Sequence, residues 1–140
     1  QAQVVPSPMR MARVAGATAD GGMLRDSRIV LTPAQPDSAP LQWISTEAAG
    51  ALRRYLREAV TSGTGRSLAR HGGAIAGKTG TAEVDGPASD AWFVGFAPYS
   101  TEGRRIAFAV IVENGGYGGR PPTPIAADIV SAARPVGGIR

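Results

Sequence analysis

With 140 residues the chain holds at most one domain, and its 43% hydrophobic share, poor in aromatics and rich in Ala and Gly, excludes a disordered chain. The net charge of +4 comes from arginines scattered along the sequence, not gathered on one stripe with interleaved aromatics, which argues against a nucleic-acid partner. No cysteine and a single histidine, His71, exclude disulfides, thiolate metal sites and a histidine-built metal centre, so no metal or cofactor is expected.

Residues 1–8 read as extended, because Pro6 and Pro8 each disfavour helix before them. Ser7 is then an N-cap with Pro8 at the first helical position, and Met9, Ala12, Val14, Ala15 and Ala19 form a face of small apolar residues. The spacing predicts a helix over 7–19, stopped by Asp20-Gly21-Gly22. Residues 28–31 read as a short strand, and the stretch through Pro36 and Pro40 as loop. Ser45 or Thr46 caps a second helix, in which Ala48, Leu52, Tyr55, Leu56, Ala59 and Val60 recur at helical spacing until Thr61-Ser62-Gly63-Thr64-Gly65 ends it. Residues 66–73 are polar and glycine-rich, without a strong pattern.

Three strands follow, over 74–84, 91–97 and 106–112, with turn signals at Asp85-Gly86-Pro87 and Ser100-Thr101-Glu102-Gly103. Connections this short favour antiparallel neighbours. A loose loop over 114–119 leads to a closing helix over 124–133. The expected architecture is α+β: at most one domain over 1–140, an antiparallel sheet of three strands covered by helices. No run approaches the ~20 apolar residues of a membrane span.

The centre of the chain is Ala74-Ile75-Ala76-Gly77-Lys78-Thr79-Gly80-Thr81-Ala82-Glu83, which holds the only lysine. Gly72 to Thr79 fits the phosphate-cradling G-x-x-x-x-G-K-[ST], and Lys78-Thr79-Gly80 fits the K-T-G element of penicillin-recognising serine enzymes. A phosphate loop needs a buried strand before it and a helix starting at Lys-Thr. The segment before it, Arg66 to His71, is polar, and Gly80 breaks a helix after it, so the match is one of chance. The K-T-G reading needs a strand edge, which the pattern offers. Strict alternation cannot place Lys78, Thr79 and Thr81 on one face, so their side chains must be read along the edge as well as across the sheet.

Four ordered segments then resemble one family. Residues 75–83, the strand Asp90-Ala91-Trp92-Phe93-Val94-Gly95-Phe96-Ala97-Pro98, the strand Ala107 to Gly115, and the stretch Val5 to Gly22 resemble the C-terminal part of a class B penicillin-binding protein transpeptidase domain. The resemblance implies a partial serine β-lactamase/transpeptidase-like fold and serine acyl transfer between peptidoglycan stem peptides, with β-lactams as inhibitors. It implies that Lys78 sets the electrostatics of the cleft and orients the substrate carboxylate, that Thr79 and Thr81 hydrogen-bond that carboxylate, and that Gly80 keeps the edge open. The Thr81 backbone N–H would be one of two oxyanion-hole donors. It also implies action on the extracytoplasmic face of the cell membrane, with an anchor outside this chain.

The sequence departs from the family pattern in two places. The nucleophile motif S-x-x-K cannot occur, because Lys78 is the only lysine and Ile75 stands three places before it. The S-x-N motif is absent, because Asn114 is the only asparagine and Val112 stands two places before it. Arg10 in Ser7-Pro8-Met9-Arg10 cannot serve as base, since its guanidinium stays protonated. The expectation is therefore a C-terminal piece, inactive alone, whose partners are the N-terminal part of the same domain, the stem peptide, β-lactams, or a second copy met through exposed apolar surface. A β-lactam-sensing receptor domain or a non-catalytic cell-wall scaffold would carry the same strand, and the sequence leaves both open. Phe96 is expected in the core, and His71 and Glu113 are expected to be a loop residue and a surface charge.

Overall fold

The computed structural model describes residues 6–27, 38–72, 74–83, 88–100, 103–116 and 120–134. Helix α1 spans Pro8–Ala19, with Pro at the first turn and the Ser7 side chain accepting from the Arg10 N–H. It ends as its glycines require: Gly21 and Gly22 take positive φ of 63° and 94°, and the Gly22 N–H returns to the Ala17 carbonyl at 2.8 Å. That bond closes a Schellman turn, which a side chain at Gly21 would strain. A two-residue antiparallel pair, β1 (Met23–Leu24) with β2 (Leu41–Gln42), follows. The strand expected at 28–31 lies outside the described residues.

Helix α2 spans Thr46–Thr61, and Ser45 is its cap, accepting from the Ala48 N–H. Glu47, in the first turn, has its carboxyl held below the usual carboxylate range by its own backbone N–H and then by the Ser45 hydroxyl. The stretch after α2, expected to be patternless, contains a single 3-10 turn, Arg66–Leu68, which buries Leu68.

The main sheet is β3 (Ala76–Ala82), β4 (Asp90–Ala97) and β5 (Ile106–Val112), antiparallel in the order β3-β4-β5. The expected antiparallel three-stranded sheet is what forms. Helix α3, Pro122–Ala133, closes the described chain, starting two residues earlier than its apolar spacing suggests. Three prolines at 121, 122 and 124 explain the shift, since the first turn of a helix needs no N–H from them.

Register fixes two faces. Ala76, Phe96 and Ala107 lie in one row, and they pack with Ala19 of α1 and Leu56 of α2. Thr79, Phe93 and Val110 lie in a row on the opposite face, where Phe93, Phe108 and Val110 meet Ala126 and Val130 of α3. Both Phe93 and Phe96 are fully buried, so the sheet is covered on two sides and each ring contributes about 1.5–3 kcal/mol of apolar burial. Phe93 is thus as deep as the expected core residue Phe96.

The Phe93 ring also explains two strand glycines. Gly77 and Gly95 pair across β3 and β4, and an added Cβ at Gly77 would stand 2.5 Å from Phe93 Cζ. At Gly95 it would stand 2.4 Å from the Ala76 carbonyl oxygen and 3.0 Å from Phe93 Cε1. The ring lies over both glycines and stacks on Phe108, with centroids 6.1 Å apart. Packing of this kind replaces the side chains the glycines lack and sets the path of β3.

Helix α2 holds the start of β3 in place. Its Arg57 donates to the Ile75 carbonyl at 2.6 Å, and Arg53, one turn earlier, donates to the Tyr99 carbonyl at 3.0 Å and sits over the Tyr99 ring. The K-T-G strand is therefore anchored at its N-terminal end by the Arg57 guanidinium, while Arg53 holds the chain just past β4, where the Tyr99 N–H donates to the Ala74 carbonyl.

Candidate active site

Strand β3 runs straight through Lys78-Thr79-Gly80-Thr81, where a phosphate loop would need a helix to begin. It is an edge strand of the main sheet among the described residues. The four residues expected to act together lie consecutively on that edge.

Lys78 and Thr81 are exposed, Gly80 is half-buried, and Thr79 is 8% exposed. Lys78 and Gly80 share the face that carries Val94 and Trp92; Thr79 shares the opposite face with Phe93. The alternation anticipated from sequence is present, and the edge resolves it. The Lys78 ammonium turns along the strand and donates to the Thr79 carbonyl at 2.8 Å, with Thr79 Oγ1 3.4 Å away. Reaching that carbonyl puts it on the open edge, and the two-residue repeat aims the Thr81 backbone the same way. The Thr81 N–H thus faces outward, as an oxyanion donor must.

Gly80 clears space on one face of the sheet. Its missing Cβ would meet Trp92 Cβ at 3.3 Å, so the space it clears lies on the Trp92 face of the sheet, beside Lys78. Trp92 itself is half-buried.

One residue of the site escapes a reading of the sequence. Thr64, in the stretch that ends α2, places its Oγ1 2.6 Å from Thr79 Oγ1 and 3.4 Å from Lys78 Nζ. Its only sequence signal is a hydroxyl set between two glycines, Gly63 and Gly65. Other candidates stand apart. His71 Nε2 is 3.1 Å from Ser131 Oγ, which ties the 3-10 region to α3, and Glu113 is an exposed charge at the end of β5. Lys78 forms no ion pair with Glu83 among the described residues; the ion pairs there are Arg13–Asp26 and Arg25–Asp20. No cluster of His, Cys, Asp or Glu that could hold a metal occurs among the described residues, and no helix there is long and apolar enough to cross a membrane.

What remains on the edge of β3 is an ammonium, the Thr79 hydroxyl linked to that of Thr64 in the loop beside it, a third hydroxyl at Thr81 and an outward N–H. Ammonium and hydroxyl donors in one place are the chemistry by which carboxylates are bound, and an outward N–H is the kind of donor a developing oxyanion needs.

The family model of the penicillin binding protein transpeptidase domain matches residues 4–131. Among solved structures, the D,D-transpeptidase domain of a peptidoglycan glycosyltransferase from Eggerthella lenta is 31% identical, at a TM-score of 0.71, over 92% of this chain and 32% of that one. Penicillin-binding protein A from M. tuberculosis, as a ceftriaxone acyl-enzyme complex, is 28% identical at a TM-score of 0.80, over 95% of this chain and 33% of that one. Penicillin-binding protein PBP2 from Helicobacter pylori is 26% identical at a TM-score of 0.80, over 98% and 26%. The chain therefore spans about a third or less of the length of these structures. No curated protein matches it.

Proposed function

The chain belongs to the penicillin binding protein transpeptidase domain family, and from that premise we propose that it is the C-terminal part of a peptidoglycan D,D-transpeptidase domain, supplying the K-T-G edge while another part of the domain supplies the serine. The observation that carries the reading is the Lys78–Thr79–Thr81 array on the open edge of β3. The division of labour rests on the sequence: with Lys78 the only lysine, no S-x-x-K motif can be written within these residues.

The geometry performs its share of acyl transfer as follows. The stem peptide ends in D-Ala-D-Ala, and its terminal carboxylate is gripped by the Lys78 ammonium with the hydroxyls of Thr79 and Thr81. That grip sets the scissile carbonyl beside the Thr81 N–H. When the serine oxygen adds to the carbonyl carbon, the oxygen of the tetrahedral intermediate gains negative charge and the Thr81 N–H donates to it. Collapse expels D-alanine and leaves the acyl group on the serine, and an amine from a second stem then takes the acyl group. A β-lactam presents a carboxylate and a strained amide in the same positions, and its leaving nitrogen stays tethered after ring opening.

The partners of this reading are the nucleophile-bearing part of the domain, the stem peptide and β-lactams, at the outer face of the cell membrane. Leu41, Trp43, Leu52 and Tyr55, all exposed at 43–63%, give apolar surface for the first of these or for a second copy of the chain.

Fluorescent penicillin tests the proposal. Covalent labelling should appear when the chain is mixed with a polypeptide carrying the family's Ser-x-x-Lys part, and not with either alone. Labelling of this chain by itself would overturn it. In the labelling mixture, Lys78→Ala should lower the acylation rate about ten- to hundredfold through loss of a charge-assisted hydrogen bond. Lys78→Arg should not restore it, because a planar fork replaces a compact ammonium. The thermal midpoint of both variants should stay close to that of the parent, since Lys78 is exposed.

A further inference from the structure

We propose that Thr64 is a positioning residue that couples the two K-T-G side chains which strand alternation sets on opposite faces of the sheet. The catalytic consequence rests on the transpeptidase reading above; the positioning itself does not.

Lys78 leaves β3 on the Trp92 face and Thr79 on the Phe93 face, yet one carboxylate has to meet both. Thr64 comes from outside the strand and touches each of them, at 2.6 Å to Thr79 Oγ1 and 3.4 Å to Lys78 Nζ. With Nζ also 3.4 Å from Thr79 Oγ1, the three polar atoms close a triangle around the edge.

Donor accounting shows what the third member adds. The ammonium can only donate, so it draws on a lone pair of each hydroxyl. At 2.6 Å one hydroxyl donates to the other, and the accepting hydroxyl keeps its own proton. Thr79 is 8% exposed and Thr64 is exposed, so the pair presents one remaining O–H beside the ammonium at the surface. Without Thr64 the Thr79 hydroxyl loses its short partner and keeps only the 3.4 Å contact from the ammonium, so its rotamer and its proton are free to turn away from the ligand.

The loop is shaped to deliver this hydroxyl. After α2 the chain folds back so that the Gly65 N–H donates to the Ala59 carbonyl at 2.9 Å. A Cβ at Gly63 would stand 2.8 Å from that same carbonyl oxygen, and one at Gly65 would stand 3.2 Å from Val60 Cγ2. Glycine on both sides lets Thr64 reach β3 fifteen residues further along the chain.

Thr64→Val, which keeps the shape and removes the hydroxyl, and Thr64→Ser, which keeps the hydroxyl, decide the matter with two readouts. Three-bond couplings to the Thr79 methyl carbon should report one χ1 rotamer in the parent and in Thr64→Ser, and averaged values in Thr64→Val. In the labelling mixture, Thr64→Val should slow acylation by a penicillin bearing a free carboxylate about ten- to hundredfold and leave its methyl ester nearly unchanged, with Thr64→Ser within about threefold of the parent. An unchanged Thr79 rotamer in Thr64→Val, or equal losses for acid and ester, overturns the proposal. A parent mixture that fails to label counts against the transpeptidase reading, and the couplings then decide the positioning role alone.

Discussion

Thr81→Pro should slow acylation in the complemented protein about a hundred- to a thousandfold, the cost of removing one oxyanion-hole donor, about 2.7–4 kcal/mol of barrier. The substitution is informative because the Thr81 N–H faces away from β4, on the open edge of β3. A proline there spares the β3–β4 ladder, and edge positions are where strands accept it. Thr81→Ala separates side chain from backbone: it keeps the N–H and loses only the hydroxyl, so its cost should be about tenfold or less. The ordering Pro far below Ala is the signature of an oxyanion donor. Equal losses would mean that Thr81 acts through its hydroxyl alone. Far-ultraviolet circular dichroism and the thermal midpoint of each variant distinguish lost chemistry from a lost strand.

The second large effect is structural. Gly95→Ala should destabilise the protein by about 1–3 kcal/mol or more, because its Cβ meets the Ala76 backbone oxygen, which cannot turn aside as a side chain does. Phe93→Ala should cost about 3–5 kcal/mol, since its fully buried ring fills the space over Gly77 and Gly95 and stacks on Phe108. The two positions share one contact, so the double variant should cost less than the sum of the singles: with the ring gone, the new Cβ has part of its space. Gly80→Ala is the control. Its Cβ meets only Trp92 Cβ at 3.3 Å, and its effect should stay near 1 kcal/mol or below. Denaturant unfolding of the four variants measures all of these. A Gly95→Ala protein as stable as the parent would show that the close approach of β3 and β4 is not what the glycines provide.

Much of this was legible because the local signals agree with one another. Ser7-Pro8 and Ser45 cap α1 and α2 where the apolar spacing begins, and the strands β4 and β5 follow from alternation between turn residues. The K-T-G edge was legible from Gly80 and the absence of any helix-forming run after Lys78. What stayed hidden involves contact between distant residues or very short pairing. The β1–β2 pair has two residues per strand, too few for a period to show. The equal burial of Phe93 and Phe96 depends on helices covering both faces, α1 with Leu56 of α2 on one and α3 with Val60 of α2 on the other. Alternation assigns those rings to opposite faces and says nothing of what covers each. Thr64 escaped for the same reason: a hydroxyl in a glycine-flanked turn carries no period, and its role is visible only once the turn is seen folded against β3.

The most direct test is the intact mass of each polypeptide after the mixture has met a penicillin. The adduct, one penicillin in mass, should sit on the serine of the Ser-x-x-Lys polypeptide, and this 140-residue chain should keep its own mass. An adduct on this chain would contradict the account, because its edge would then have brought its own nucleophile.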